Sequence, residues 1–419
     1  MSKIPLNEFI TLQRGFDLPS NKRISGSVPV VASTGIAGYH NEIKVKAPGV
    51  VIGRSGSIGG GQYIEKDFFP LNTTLYVKDF KGHYPRFIYY LLKSIDFTSF
   101  NVGTGVPTLN RNHLSSILIS DLGIDKEKEI ANILGNLDQK IQLNTQINQT
   151  LEQIVQALFK SWFIDFDPVR AKVQALSDGQ SLEQAELAAM QAISGKTPEE
   201  LTALSQAEPD RYAELAETAK AFPCEIVEVD GGEVPKGWEM KALDEVANYQ
   251  NGLALQKFRP KSDEPFLPVV KIAQLRQGCA DGDEKAKASI KPECIIDNGD
   301  VIFSWSGSLL VDIWCGGKAA LNQHLFKVSS KDYPKWFYYF YTKHHLTEFQ
   351  RIAYDKAVTM GHIKREHLSA AKCIVPNDEL LVNKTLENIL EKIIFNRLEN
   401  FNLQNTRDLL LPRLLSGEI

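Results

Sequence analysis

The chain has 419 residues, a hydrophobic content of 43% and a formal net charge of −4. That length and apolar content suit two or three packed domains. No apolar stretch approaches the ~18 residues of a membrane span, and the start, MSKIPLNEF, has no apolar core of a signal peptide. The five cysteines (Cys224, Cys279, Cys294, Cys315, Cys373) are scattered without a C-x-x-C pair. They read as reduced thiols of a cytoplasmic protein, not as a disulfide framework or a zinc site.

The small net charge hides an asymmetry. Residues 1–124 carry 13 Lys+Arg against 8 Asp+Glu, and residues 238–375 carry 19 against 16. Residues 125–237 carry 10 against 20, and residues 376–419 carry 5 against 7. Two mildly basic stretches therefore alternate with acidic ones, which suits a polyanion held by the first kind and kept off the second.

In chain order, residues 1–124 read as short β-rich runs (Val28–Ala32, Val50–Ile52, Thr74–Val77) between Gly/Ser/Asn loops. The glycines of Gly53–Gly61 read as a tight surface loop. A helix over Pro85–Ile95 opens on proline and carries a Phe/Tyr cluster whose helical spacing makes it a buried core face. From about Asp125 to Phe163 a proline-free helix follows, with seam positions Ile130, Leu134, Leu137, Ile141, Asn144, Asn148, Leu151, Val155 and Leu158. Alternating steps of four and three mark a coiled-coil seam, and buried asparagine in such a seam fixes register at a cost in stability. Pro168 is expected to stop this helix. The acidic segment 167–237 then predicts two helical pieces, Leu182–Ile193 and Pro198–Lys220, acting as a connector.

The rest repeats the first part. Leu6-Asn7-Glu8-Phe9 through Gly15 matches Leu243-Asp244-Glu245-Val246 through Gly252. Pro29-Val30-Val31 matches Pro268-Val269-Val270, and Gly49-Val50-Val51-Ile52 matches Gly299-Asp300-Val301-Ile302. Leu71-Asn72 is matched to Leu321-Asn322, and Tyr84–Tyr90 to Tyr333–Tyr339. The second copy predicts β-rich runs at Val269–Ile272, Val301–Ser304 and Leu325–Val328, and an aromatic helix over Pro334–Lys343. The seam returns as Val382, Leu386, Ile389, Ile393, Asn396, Asn400, Leu403, Arg407 and Leu410. Both asparagines keep frame, and only Arg407 changes polarity. Two matched seams far apart in sequence are natural partners.

A search for catalysis finds no phosphate-binding G-x-x-x-x-G-K-[ST], no methyltransferase N/D-P-P-Y/F and no nucleophile beside His113 or His367. Asp165 and Asp167 have no counterpart in the second copy and do not read as a metal site. The loops suit reading better than reacting. Arg54, Ser55 and Ser57, with Trp305, Ser306 and Ser308 in the second copy, offer donors and one aromatic. Asn72 and Thr73, with Asn322, Gln323 and His324, present groups of the kind that pair with base edges. Thr104, Thr108, Asn110, Arg111 and His113, with Thr359, His362, Lys364 and Arg365, form the third loop of each copy. The copies keep a framework and vary these loop residues, as expected of one scaffold reading two sequences.

With these features the chain resembles the specificity (S) subunits of type I restriction–modification systems. The most specific motifs are Leu158-Phe159-Lys160-Ser161-Trp162-Phe163-Ile164-Asp165-Phe166-Asp167-Pro168, Gly232–Trp238 and Leu411–Ile419. The resemblance implies an α+β fold: two homologous target-recognition domains of mixed sheet and helices, separated by two long helices in an antiparallel coiled coil. The expected layout is a first recognition domain at 1–124, a first long helix at 125–166, an acidic connector at 167–237, a second recognition domain at 238–376 and a second long helix at 377–419. It also implies a non-catalytic chain that reads a bipartite, asymmetric site in double-stranded DNA. Two methyltransferase subunits and restriction/translocase subunits would be its partners. S-adenosylmethionine, ATP and Mg would belong to those partners, with no cofactor on this chain. The alternatives are the specificity subunit of a standalone methyltransferase or related phage-defence complex, and a DNA-modifying enzyme with an unfamiliar site.

If the copies read independently, replacing residues 1–124 by the matching part of a relative changes one half of the methylated motif only. Sequencing of methylated bases in cells carrying the chimera and its partner genes checks this, and a change in both halves would refute independence.

Overall fold

The structure, a computed structural model, describes residues 3–101, 105–230, 232–355 and 361–419. The chain forms two compact units: Met1–Leu143 with Asn402–Ile419, and Asn144–Phe401. Each takes one part of each long helix.

In the first unit a four-stranded antiparallel sheet runs in the order Thr11–Arg14, Thr74–Asp79, Gly49–Gly53, Gly59–Ile64. Val50, Val51 and Ile52 at its centre are fully buried. A smaller sheet orders Gly35–His40, Val28–Ala32 and Phe69–Pro70, with the last pair parallel. The aromatic helix Pro85–Ser94 packs on the larger sheet and buries Phe87, Ile88, Tyr90, Leu91 and Leu92, so its rings are core. Ile130, Ala131 and Leu134 of the first long helix join that core with Leu411 and Leu414 of the second.

The second unit repeats the plan. Asn248–Asn251, Leu325–Ser329, Val301–Ser304 and Leu310–Ile313 form the four-stranded antiparallel sheet in the same spatial order. The smaller sheet orders Lys285–Lys287, Phe266–Val270, Ala319–Leu321 and Ile295–Ile296, again with one parallel pair. Ile272 does not extend the strand ending at Val270; it opens a short helix, Ile272–Gln277. The aromatic helix runs over Lys335–Asp355, well past the expected end at Lys343, because Phe349 and Ala353 continue its buried face.

The first long helix spans Ile124–Phe163 and the second Lys384–Ser416. Val382 lies before the second helix and is exposed, so that end of the expected seam is not used. In the second unit Asn144 Nδ2 donates to Asn400 Oδ1 (2.9 Å), and Asn396 Nδ2 donates to Asn148 Oδ1 (2.8 Å). The partner number falls as the first rises, so the helices are antiparallel. Asn148 also donates to the Ile393 carbonyl (3.0 Å), and apolar Val155 and Leu386 pack beyond. In the first unit Arg407, the odd member of the seam, pairs with Asp138 (2.8 Å), whose other oxygen accepts the Tyr90 hydroxyl (2.6 Å). Burial opposes the charge on Arg407, but its bonds to Asp138 and Asp408 outweigh that and raise its pKa.

Pro168 is not the stop. The helix ends at Phe163, Phe166 turns left-handed (φ 58°), and Pro168 sits in the first turn of a new helix, Asp167–Ser177. Proline suits that position because its missing N–H would go unpaired there. Among the described residues the connector holds four helices, not two. Leu182–Ser194, Pro198–Ala207 and Pro209–Ala221 follow the first, and Pro209 splits the piece expected over Pro198–Lys220. It is also docked. Lys172 is buried, its Nζ donating to the carbonyls of Phe222 (2.6 Å) and Lys220 (3.3 Å), and burial lowers its pKa. Phe163 meets Trp336 (5.4 Å) and Trp238 (5.9 Å), and Phe222 meets Trp162 (5.5 Å). The Phe159–Phe166 motif is therefore the core that fixes connector, helix and sheet together in this unit.

All five tryptophans (Trp162, Trp238, Trp305, Trp314, Trp336) lie in the second unit, so their fluorescence reports its unfolding. Asn148→Ala leaves the Asn396 amide short of a partner and should lower that unit's stability by ~1–3 kcal/mol in denaturant titration. Asn148→Leu with Asn396→Leu should recover the loss. A double variant as weak as the single one would show that the amides do more than fix register.

Candidate nucleic-acid interface

The three loops picked out in each copy converge, and the same backbone bonds hold them. In the first unit Arg54 N donates to Thr73 O (2.8 Å), Leu109 N to Arg54 O (2.8 Å) and Gly56 N to Pro107 O (3.0 Å). In the second, Trp305 N donates to His324 O (3.4 Å), Ile363 N to Trp305 O (3.0 Å) and Gly307 N to Gly361 O (2.9 Å). Ser55 bridges Thr108 as Ser306 bridges His362. Arg54 and Trp305 thus occupy one position of a shared frame, as do Thr73 and His324.

This frame corrects the matching of Leu71-Asn72 with Leu321-Asn322. Leu71 N donates to Val31 O, and Asn322 N donates to Val270 O. Val30 pairs with Phe69 as Val269 pairs with Ala320. Leu71 therefore corresponds to Asn322 and Asn72 to Gln323. The shared Leu-Asn pair is a one-residue coincidence. Gly15 and Gly252 mark the same spot from below. A Cβ on Gly15 would lie 2.2 Å from Leu71 O, and one on Gly252 2.3 Å from Asn322 O.

In the first unit the loops border a cleft of about 680 Å³ lined by Arg14, Arg54, Arg111, Thr108 and Asn110, with Asp17 as its acidic member. Asp17 lies 3.6 Å from Arg14 and accepts a hydrogen bond from Asn72. Arg54 Nη1 is 3.4 Å from the Asn72 carbonyl. Asn110 caps the turn Arg111–Ser116 by accepting from Asn112 N (3.0 Å), and the Thr108 hydroxyl donates to Val106 O. Ser57 is exposed, while Thr73 Oγ1 is buried with no hydrogen-bond partner among the described residues. Thr104 and the side chain of His113 lie outside the described residues.

The second unit fills the same frame with rings. Trp305 Nε1 donates to Gln323 O (3.2 Å), and its ring lies near Phe326 (5.8 Å), His324 (6.1 Å) and His362 (6.3 Å). The buried Ser306 hydroxyl meets His324 Nδ1 at 2.9 Å, and Gln323 Nε2 lies 3.3 Å from His324 Nε2. Asn322 is buried and accepts from His324 N (3.2 Å), so it shapes the loop from within. Ser308, His362, Lys364 and Arg365 are exposed. Arg365 donates to Tyr249 O (3.0 Å) with its guanidinium over Phe326 (5.6 Å). Thr359 lies outside the described residues. The four seam asparagines sit in the coiled coil, apart from these loops.

A family profile described as "Type I restriction modification DNA specificity domain" matches residues 1–153 and 235–407. The chain belongs to that family. The two-part match fits two target-recognition domains. Specificity subunits of type I systems are non-catalytic DNA-recognition subunits that bind no cofactor themselves, and membership gives this chain that function within a complex of other subunits. It is 39% identical over 388 residues to the type I restriction enzyme HindI specificity subunit of Haemophilus influenzae, covering 86% of this chain and 84% of that one. It is 24% identical over 356 residues to the MjaIX specificity subunit of Methanocaldococcus jannaschii, covering 81% and 70%. The crystal structure of a type I S subunit from M. genitalium superposes with a TM-score of 0.55 at 13% identity, covering 99% of this chain and 96% of that one. That likeness carries the α+β fold with its long central and C-terminal helices. Among the described residues no helix is long and apolar enough to cross a membrane.

Because a Cβ at Gly252 would press on two carbonyl oxygens that support the His324 loop, Gly252→Ala should destabilise the second unit by ~1–3 kcal/mol. Tryptophan fluorescence during unfolding measures it. Full stability in the variant would show that the loop rearranges freely.

Proposed function

We propose that this specificity subunit reads an asymmetric, bipartite site in duplex DNA, with one loop triad for each half. The recognition domains would be residues 1–124 and 238–376. The observation that carries the reading is the common backbone frame with different side chains: Arg54, Asn72 and Thr73 in one copy stand where Trp305, Gln323 and His324 stand in the other. A frame held by main-chain bonds tolerates such exchanges, and a changed set of donors and rings selects a different base sequence.

In the first unit the exposed arginine-lined cleft supports contacts to phosphates and to guanine edges, since a guanidinium matches guanine O6 and N7. In the second unit Trp305, His324, Lys364 and Arg365 supply a ring face and donors. The docked acidic connector carries charge that disfavours DNA and suits protein partners. Two methyltransferase subunits bearing S-adenosylmethionine, and restriction/translocase subunits using ATP and Mg, would supply the chemistry in the cytoplasm. The purified chain alone is expected neither to transfer a methyl group nor to cut DNA.

Arg54→Ala and Arg111→Ala test the first triad. A base-reading arginine should cost ~1–3 kcal/mol and relax one position of the first half-site, whereas a phosphate contact weakens all sequences alike and flattens the salt slope. Binding titrations at several salt concentrations, paired with methylated-motif mapping, separate the two. If both variants keep wild-type affinity and motif, this cleft is not the interface.

A further inference from the structure

Beside each loop triad stands a further element that the sequence repeat does not reveal. In both units it begins where the parallel strand of the smaller sheet ends. In the first unit Val28–Ala32 turns back through Ser33 and Thr34 into Gly35–His40, with Ala32 opposite Gly35 and Val31 opposite Ile36. This turn adjoins the triad: Leu71 N, just before Asn72, bonds to Val31 O (2.8 Å). In the second unit the strand ending at Val270 continues into Lys271 and the helix Ile272–Gln277. Asn322 N, just before Gln323, bonds to Val270 O (3.1 Å), which puts this helix at the equivalent place. Its Ile272 Cδ1 lies 3.5 Å from where a Cβ would stand on Gly307, in the Trp305–Ser308 loop.

The residues that face outward differ as much as the folds do. The helix buries Leu275 and half-buries Ile272, so helical spacing turns Arg276 and Gln277 outward, and both are exposed. Arginine and glutamine are the side chains that pair bidentately with guanine and adenine in the major groove. The hairpin of the first unit presents Thr34 and Ile36 instead, a hydroxyl and an apolar group able to contact a thymine methyl.

We infer that the segment after the parallel strand, a turn at Ser33–Ile36 in one unit and a helix at Lys271–Gln277 in the other, is a fourth DNA-reading element of each domain. It is one of the places where the two domains differ in secondary structure and not only in side chains, and it would give the second half-site a contact through Arg276 and Gln277. The inference rests on the loop triads being the reading surface.

The test pairs Arg276→Ala with Gln277→Ala in one variant, beside a separate His324→Ala variant. Both are made in the full chain assembled with its methyltransferase partner. The readouts are methylated-motif mapping and binding to a duplex carrying the wild-type motif. The double variant should relax one or two positions of the second half-site, lower affinity about ten- to a hundredfold and leave the first half-site unchanged. If the His324 variant alters the second half-site while the double variant keeps motif and affinity, the fourth element is refuted and the triad stands. A double variant that binds every sequence equally less well makes the helix a phosphate contact and also overturns its reading role. If neither variant changes motif or affinity, the triad reading falls with it.

Discussion

The constraint on which the rest depends is the buried amide pairing between the long helices. A purely apolar seam can slide by a turn and keep most of its burial, because one leucine or isoleucine replaces another. Asn148 and Asn396 remove that freedom. A slip would leave an amide in an apolar interface without its partner, at a cost comparable to a lost buried hydrogen bond. Everything mounted on the helices inherits this choice. Leu386 and Val155 fall into one core, the aromatic motif at Phe159–Phe166 meets Trp238 and Trp336, and the sheet of the second unit gains its support.

The converging loops obey the opposite economy. The frame common to both copies is made of main-chain donors and acceptors, which any non-proline residue supplies, and side chains such as Asn322 and Ser306 add to it in the second unit. The bond made by Arg54 N is made again by Trp305 N, though a guanidinium and an indole have nothing in common. Glycine is demanded underneath, at Gly15 and Gly252, where two carbonyls crowd the Cα, and within the loops at Gly56 and Gly307, whose φ angles are positive (82° and 67°). Side chains at the surface are thereby released from structural duty.

Much of this was legible in the sequence, for identifiable reasons. The period of the seam and its in-frame asparagines betrayed the helices, and the matched strands betrayed the duplication. Loops were recognisable as groups but not residue by residue. The repeated Leu-Asn pair suggested one equivalence, and the parallel strand pairing imposed another, shifted by one. The connector misled because Pro168 and Pro209 look like breaks and act as beginnings, since proline fits the first turn of a helix better than any other place in it. The helix Ile272–Gln277 was invisible because its β-branched start continues the strand pattern; a sheet edge is decided by pairing, which one chain's pattern does not reveal.

Arg397 gives the second unit a rigid mount. It rises from the second long helix and binds Asp312 on the sheet (2.7 Å) and Glu152 on the first long helix (2.8 Å). Burial opposes its charge, but the Asp312 and Glu152 carboxylates outweigh that and hold its pKa above the ordinary guanidinium value. A recognition surface tethered by a loose hinge would lose rotational freedom each time it settled on a duplex, and affinity would fall accordingly. With strand and both helices held by one guanidinium, that loss is incurred when the chain folds. The second unit's candidate loops therefore stand on a support that is oriented before any partner arrives.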